Sequence, residues 1–227
     1  MSEYINSFFF GIYPYIAIGV MIFGSILRYD RDPYSWKADS SQLMSRKGLR
    51  LGSNLFHIGI ILLFFGHLVG LLTPHSVYEP FMTSGQKQLL AMTAGGIFGT
   101  MMLVGLLILI ARRFGNARVS ATSSFWDKAI LLLLLAQLVL GLLTIPQSAK
   151  HMDGSSMIEL ASWAQKIVTF RSGAAEHILG EHIIFKLHIV LGLTIFLVLP
   201  FTRLVHIFSA PIKYLFRTGY QIVRKRG

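Results

Sequence analysis

Five long apolar runs dominate the sequence and decide what the chain can fold into. A membrane-spanning helix needs about 20 mostly apolar residues, and five segments approach or exceed that length. They are Phe8–Leu27, Leu51–Leu72, Leu89–Ala111, Ala129–Ile145 and Ile183–Ile207. No linker rich in Pro, Gly or Ser divides them, and no repeat of helix length occurs. The sequence therefore predicts a single all-α integral membrane domain with five transmembrane helices over residues 1–227.

The charged residues are few, and they lie between these runs. Only 14% of the residues are charged, whereas about a quarter is usual in soluble chains, yet the net charge is +11. Sixteen of the 21 Lys and Arg residues fall in the first and third connections and around the C-terminal end. The positive-inside rule places these parts in the cytoplasm, with the N-terminus outside and the C-terminus inside. This pattern excludes a soluble globular domain and disfavours a nucleic-acid-binding protein.

The N-terminus and the cysteine count add two constraints. The first ten residues contain no Lys or Arg, so we expect the first apolar run to be retained as a span and not cleaved as a signal peptide. The chain has no cysteine, which excludes thiolate-bound zinc, an iron–sulfur cluster and a covalently attached c-type haem. Any redox cofactor must be held by other ligands.

Four of the eight histidines lie inside apolar runs: His57 and His67 in the second, and His188 and His206 in the fifth. An ionisable residue inside a span indicates function by default, although a lone one is as often a neutral imidazole bonded to a neighbouring helix. At 1.5 Å per residue, His67 and His188 each lie about 8 Å from the outer end of their helix. His57 lies about 9 Å from the inner end, and a kink at Pro200 has to absorb about two turns for His206 to match it.

Antiparallel helices with histidines at two matched depths can hold two flat macrocycles, each iron taking one imidazole from each helix. The spacing of 18 residues places His188 and His206 on one face of a continuous helix. Neutral imidazole brings no extra charge into the hydrocarbon. With both axial positions filled, such a haem transfers electrons and binds no substrate. Glycines near the ligands leave room for the porphyrin planes: Gly59, Gly66, Gly70 and Gly192.

Other interpretations of these histidines stay open. His182, beside Glu181 at the predicted interface, is a weaker candidate ligand than His188, because an imidazole there can bond water. A zinc site would need three or four ligands at one depth. In a haem-free transporter, the buried histidines would bind substrate or relay protons instead.

The long outer connection contains one further predicted element. Apolar residues recur at helical spacing along Met157–Phe170, which predicts a short amphipathic helix on the outer face. This helix either caps a site beneath it or is a surface helix with no direct role.

Short stretches along nearly the whole chain match one known family when they are taken together. They are Phe8–Tyr15, Ser53–Ile60, Gly66-His67, Thr73–His75, Gly141–Pro146, His151–Gly154, Trp163–Gln165, Val168–Phe170, Leu187-His188 and Arg203-Leu204, with His206 at the expected spacing. On these residues the chain resembles the γ subunit (cytochrome b subunit) of membrane-bound respiratory nitrate reductase.

The resemblance implies a membrane anchor with two haems b between the second and fifth helices. His67 and His188 would ligate the iron of the outer haem, and His57 and His206 that of the inner haem, which is the pairing that the depths also favour. Quinol would be the substrate, bound near the outer haem close to Gly66, His67 and Lys87. From the residues alone, Lys87 is more often an interfacial lysine that snorkels to water, and it is the resemblance that favours the quinol role.

The resemblance also implies the partners. Electrons would pass from the outer haem to the inner haem, and then to an iron–sulfur β subunit and a molybdenum-containing α subunit on the cytoplasmic side of the cell inner membrane. The basic connections would contact these partners and anionic lipid. Nitrate follows from the resemblance alone, since a di-haem anchor of a formate, sulfur or heterodisulfide enzyme would have similar ligands.

Overall fold

The computed structural model describes residues 3–36 and 42–209, and every regular element in these two ranges is helical. Five helical segments are long and apolar enough to cross a membrane: Glu3–Arg31, Leu49–Leu72, Ser84–Gly115, Phe125–Ser148 and Ile183–Phe201. The prediction of an all-α chain with five such helices is confirmed. The predictions for the C-terminal tail from residue 210, and for Lys37 and Asp39, lie outside the described residues.

The α-helices are numbered along the chain. They are α1 (Glu3–Ser7), α2 (Tyr13–Arg31), α3 (Leu49–Leu72), α4 (His75–Tyr78), α5 (Ser84–Gly115), α6 (Ala117–Ala121), α7 (Phe125–Ser148), α8 (Ser155–Val168), α9 (Glu176–Leu179) and α10 (Ile183–Val198). A π-helical turn, Phe8–Ile12, joins α1 to α2, and 3-10 helices cover Pro33–Ser35, Leu199–Phe201 and Arg203–Ser209.

Capping residues extend α5 and α7 beyond the bounds that the apolar runs predicted. At the start of α5, the Thr83 hydroxyl accepts a hydrogen bond from the Gln86 N–H (3.2 Å), and Gln86 Oε1 accepts one from the Thr83 N–H (2.9 Å). Ser124 and Asp127 form the same reciprocal arrangement at the start of α7. Such a capping box satisfies backbone donors at a helix end, so that α5 begins five residues before the predicted Leu89.

The fifth span differs from the single helix predicted over Ile183–Ile207. α10 ends at Val198, a 3-10 turn follows, and Thr202 is extended (φ −117°, ψ 176°) before a separate 3-10 helix begins at Arg203. Pro200 accounts for the interruption, because proline lacks a backbone N–H and its ring collides with the preceding helical turn. The kink was predicted, but the continuity of the helix as far as His206 was wrong.

The spanning helices pack side by side in the order α3, α5, α7, α10, α2. Glycines allow the close approach of α3 and α5: a Cβ at Gly105 would lie 2.5 Å from the Phe56 nitrogen, and one at Gly59 would lie 2.7 Å from Met102 Cβ. Small residues are typical of close helix contacts in membranes. α3 carries His57 and His67, and α10 carries His188. These two helices pack mainly on other helices and approach each other through the His67 and His188 side chains.

The amphipathic helix predicted over Met157–Phe170 is confirmed as α8, with bounds Ser155–Val168. Its buried face includes Trp163 and Ile167. The Trp163 indole N–H donates to the Phe10 carbonyl (2.9 Å), and Gln165 Nε2 donates to the Leu71 carbonyl (3.0 Å). Side chains of α8 thus connect this helix to the π-helical turn before α2 and to the end of α3.

Arginines gather at the opposite end of the bundle. Asp127 lies between Arg113 (3.9 Å) and Arg203 (3.5 Å). The Arg28 guanidinium donates to the carbonyls of Pro200 (2.7 Å) and Thr202 (2.9 Å). We call this end the basic end and the end covered by α8 the far end.

Candidate functional site

Two pairs of imidazole rings meet between α3 and the fifth spanning segment. The ring centroids of His57 and His206 are 6.5 Å apart, and those of His67 and His188 are 6.1 Å apart. We call the first the basic-end pair and the second the far-end pair. The structure therefore brings together, two by two, the four histidines that the sequence analysis singled out.

The hydrogen bonds of these imidazoles settle which ring nitrogen carries the proton. His57 Nδ1 lies 2.7 Å from the Ser53 carbonyl, His67 Nδ1 lies 2.7 Å from the Leu63 carbonyl, and His206 Nδ1 lies 2.6 Å from the Arg203 carbonyl. His188 Nδ1 lies 3.2 Å from the Gln137 carbonyl. A carbonyl oxygen can only accept, so Nδ1 donates in each case and Nε2 keeps its lone pair. This is the usual second bond of a metal-binding histidine.

The residues of each pair fit a metal ion that brings its own equatorial ligands. Two imidazole nitrogens at about 2 Å on opposite sides of one metal ion put the ring centroids roughly 6 Å apart, which agrees with both pairs. No cluster of three or more His, Asp or Glu side chains in residues 3–36 and 42–209 could hold a metal ion alone. A haem supplies the missing four nitrogens, so the residues present fit this cofactor, whereas the protein-only zinc site is disfavoured.

Open space adjoins the far-end pair on α3. A Cβ added at Gly66 or Gly70 would find no atom within 4 Å, so these two positions have the room expected of them. The other two glycines are packed: Gly59 lies against Met102, and a Cβ at Gly192 would lie 3.0 Å from Gln137 Nε2. Those two serve helix contacts within the bundle.

Sequence reasoning missed the part of α7 that touches the far-end pair. A Cβ at Gly141 would lie 2.9 Å from His188 Cε1. The backbone carbonyl oxygen of Gln137 contacts Nδ1 of the same imidazole. Gly141 appeared only as part of the Gly141–Pro146 stretch. One signal could have found Gln137: it is an amide in the middle of an apolar run, and polar residues inside spans tend to have partners there.

Lys87, the third residue predicted for the quinol site, lies at the far end in the first turn of α5. Its side chain is buried, Nζ donates to the Thr73 carbonyl (3.4 Å), and Nζ lies 3.9 Å from the centre of the Tyr78 ring. Gln165 of α8 donates to the same Thr73 carbonyl (3.3 Å). The ammonium group is thus turned towards protein groups, which does not fit a lysine that snorkels to water.

The remaining histidines have other partners at the far end. His75 pairs with Glu79 (3.3 Å) and His177 with Glu159 (2.6 Å). His182 caps α10, where its Nδ1 accepts from the Ile184 N–H (3.3 Å). This contact agrees with ranking His182 below His188 as a candidate ligand.

A polar cavity of about 290 Å³ lies beside His182. His151, Ser156 and Glu181 are among the residues that line it. Burial raises the pKa of the Glu181 carboxyl, and a hydrogen bond from Ser156 opposes that rise. This carboxyl is therefore less fully ionised near neutral pH than an exposed glutamate.

Comparison with known proteins gives one consistent result. Residues 6–226 match the family described as the nitrate reductase gamma subunit. The chain is 54% identical over 224 residues to the respiratory nitrate reductase 1 gamma chain of Escherichia coli (strain K12), covering 99% of both chains. It is 54% identical over 226 residues to the respiratory nitrate reductase 2 gamma chain of the same organism, covering 100% of both. With the nitrate reductase gamma chain of Bacillus subtilis (strain 168), identity is 39% over 220 residues, covering 96% of this chain and 97% of the relative.

Proposed function

Because the chain belongs to the nitrate reductase gamma subunit family, we propose that it anchors a respiratory nitrate reductase in the cell inner membrane and supplies it with electrons taken from quinol. Family membership makes it a multi-pass membrane subunit of that oxidoreductase. The observation that most supports electron transfer is the presence of two imidazole pairs, whose ring centroids are 6.1 and 6.5 Å apart. In all four imidazoles Nδ1 faces a carbonyl oxygen.

The four histidines would hold two haems b, one in each pair. When bound, these groups would supply one-electron transfer across the membrane. The chain orients each imidazole through the Nδ1–H bond, which keeps Nε2 unprotonated and raises its strength as a ligand.

We assign the quinol site to the far end, close to Gly66, His67 and Lys87. A Cβ at Gly66 would meet no atom within 4 Å, so the chain itself does not block this position, and the Lys87 ammonium can donate a hydrogen bond to a quinol oxygen. Lys87 already contacts the Thr73 carbonyl and the Tyr78 ring, so it is held near the site before quinol binds. Oxidation of quinol gives up two electrons and two protons, and the protons would leave on the far side of the membrane.

The basic end would lie in the cytoplasm, where a partner takes the electrons. Arg28, Arg113 and Arg203 are brought together there, in agreement with the positive-inside rule. A chain without cysteine cannot hold an iron–sulfur cluster, so electrons must pass to another subunit. We propose an iron–sulfur β subunit and a molybdenum-containing α subunit in that role.

A pyridine haemochrome assay on the purified full chain tests the cofactor directly. We expect two haems b per chain, and a His75→Ala variant should retain both because His75 pairs with Glu79. A chain without haem would overturn the proposal in favour of the haem-free transporter.

The direction of proton release tests where quinol binds. In proteoliposomes that contain the complex in one orientation, quinol and nitrate should acidify the compartment on the far side. Acidification of the compartment that faces the basic end would contradict the assignment of Gly66, His67 and Lys87.

A further inference from the structure

His188 differs from the other three paired histidines in the origin of its hydrogen-bond acceptor. His57, His67 and His206 donate from Nδ1 to carbonyls three or four residues earlier in their own segment. His188 donates to the carbonyl of Gln137, which belongs to α7. The orientation of this imidazole therefore depends on the position of a second spanning helix.

Gly141 makes this contact possible. A Cβ at this position would lie 2.9 Å from His188 Cε1 and 3.5 Å from Nδ1. The first distance is too short for a carbon–carbon contact, so any larger residue would push the ring or the helix away. Gly96 on α5 provides the contrast, since a Cβ there would meet only Ile145 Cδ1 at 3.8 Å, an ordinary contact.

The Gln137 side chain approaches the other ring nitrogen of His188. Its Nε2 lies 3.5 Å from His188 Nε2, while its Oε1 is shut off from solvent and has no hydrogen-bond partner. An enclosed amide oxygen without a partner is destabilising, because it loses its hydrogen bond to water and gains none in return. Because Nδ1 of His188 carries the proton, the Gln137 amide N–H donates to the lone pair of Nε2, and the positive end of the amide dipole lies near that nitrogen.

We propose that Gln137 and Gly141 are positioning residues that hold His188 and set the reduction potential of the far-end haem separately from that of the basic-end haem. This inference rests on the proposed function, since it requires a haem between His67 and His188. The carbonyl of Gln137 and the space left by Gly141 fix the ring. The amide dipole disfavours the more positive, oxidised state of the group at Nε2. Within residues 3–36 and 42–209, the imidazoles of the basic-end pair bond to Ser53 and Arg203 and to no group of α7.

Redox titration of the full chain with its haems tests the role of the Gln137 amide. A Gln137→Met variant keeps the length of the side chain and removes the dipole. Its far-end haem should become harder to reduce by about threefold in the one-electron equilibrium constant, or roughly 28 mV at 59 mV per tenfold change. The basic-end potential, assigned with the single-histidine variants, should not move. The matched control is Gln147→Met at the end of α7, which should change neither potential.

A second pair of variants tests the role of the missing Cβ. Gly141→Ala should broaden or shift the far-end haem absorption or reduce its occupancy, while Gly96→Ala should leave both haems as they are. Equal shifts of both haems in Gln137→Met or Gly141→Ala, or an unmoved far-end haem in both variants, would overturn the inference. Absence of haem from the unaltered chain would instead overturn the proposed function, and this inference with it.

Discussion

The two histidine pairs reach nearly the same ring separation by different structural means. In the far-end pair, His67 and His188 both lie on regular α-helices, and α7 braces His188. In the basic-end pair, His57 lies on the same α3, but His206 lies on a 3-10 helix that follows the end of α10. One pair depends on close packing between helices, and the other depends on an interrupted helix.

Simple helix geometry explains why the interruption is needed. His57 and His67 are 10 residues apart on α3, or about 15 Å along the axis, whereas His188 and His206 would be about 27 Å apart on a continuous helix. A straight α10 would therefore match only one pair in depth. Because α10 ends at Val198, His206 can approach His57. The break at Pro200 is thus a requirement of the second pair.

The largest effect should come from removing single imidazoles, because each removal should abolish the signal of one haem and leave the other. His67→Ala or His188→Ala should abolish the far-end haem signal, and His57→Ala or His206→Ala should abolish the basic-end signal, because each iron loses one of two axial ligands. Low-temperature absorption spectra of the purified variants distinguish the two haems. His182→Ala is the control, and loss of a haem in that variant would refute the choice of His188 as ligand.

Loss of Arg28 should perturb the basic-end pair alone. Its guanidinium donates to the carbonyls of Pro200, Thr202 and Ser35, and a charge-assisted bond of this kind contributes about 1.5–3 kcal/mol. In Arg28→Met, the segment that carries His206 loses these bonds, so the basic-end haem should fall in occupancy or potential. The exposed Arg31 offers the control Arg31→Met. An Arg28→Met chain with both haems unchanged would show that the interrupted helix needs no such support.

The sequence was sufficient to predict the features that follow from helix repeat and hydropathy. The number of spans and the amphipathic helix α8 depend on periodicity and hydropathy. The high cost of polar groups in lipid also singled out the four histidines, whose role stays a prediction. The end of α10 was not predictable, because Pro200 either kinks or breaks a helix according to what holds the following segment. Here Arg28 supplies that contact from α2, 172 residues away in sequence.

The contacts of α7 with His188 were equally impossible to predict from the sequence. A glycine inside a span serves packing, flexibility or neither according to the helix beside it, which the sequence does not reveal. The contacts of Lys87 with Thr73 and Tyr78 at the far end were not predictable either. They depend on the conformation of the connection between α3 and α5, which has no hydrophobic periodicity from which it could be predicted. The haem ligation itself stays a prediction.

Gln165→Leu should weaken the far end and leave the basic end intact. Gln165 donates from α8 to the carbonyls of Leu71 and Thr73 at the end of α3, and each bond contributes about 1 kcal/mol. Thr73 also accepts from Lys87, so we expect a higher KM for quinol, with kcat less affected, and faster hydrogen exchange in the last turn of α3. Thr169→Val is the control, since Thr169 Oγ1 bonds only to carbonyls of α8. An unchanged KM in Gln165→Leu would separate α8 from the quinol site.

The smallest effect should come from Glu181→Gln at the far end. Burial raises the pKa of this carboxyl in the folded chain, so between the ordinary and the raised pKa the folded state binds more protons than the unfolded state, and stability falls as pH rises. Below the ordinary pKa, both states are protonated and the variant should unfold like the unaltered chain. Above the raised pKa, Glu181→Gln should unfold at a slightly higher temperature, by at most about 2 °C because the group is partly solvated. Thermal unfolding followed at a series of pH values measures this, with Glu79→Gln, at an exposed position directly after α4, as the control. If Glu181→Gln raised the unfolding temperature equally at low and high pH, the protonation of Glu181 would not be the cause. The change would then come from the altered side chain itself and not from the loss of a titrating group.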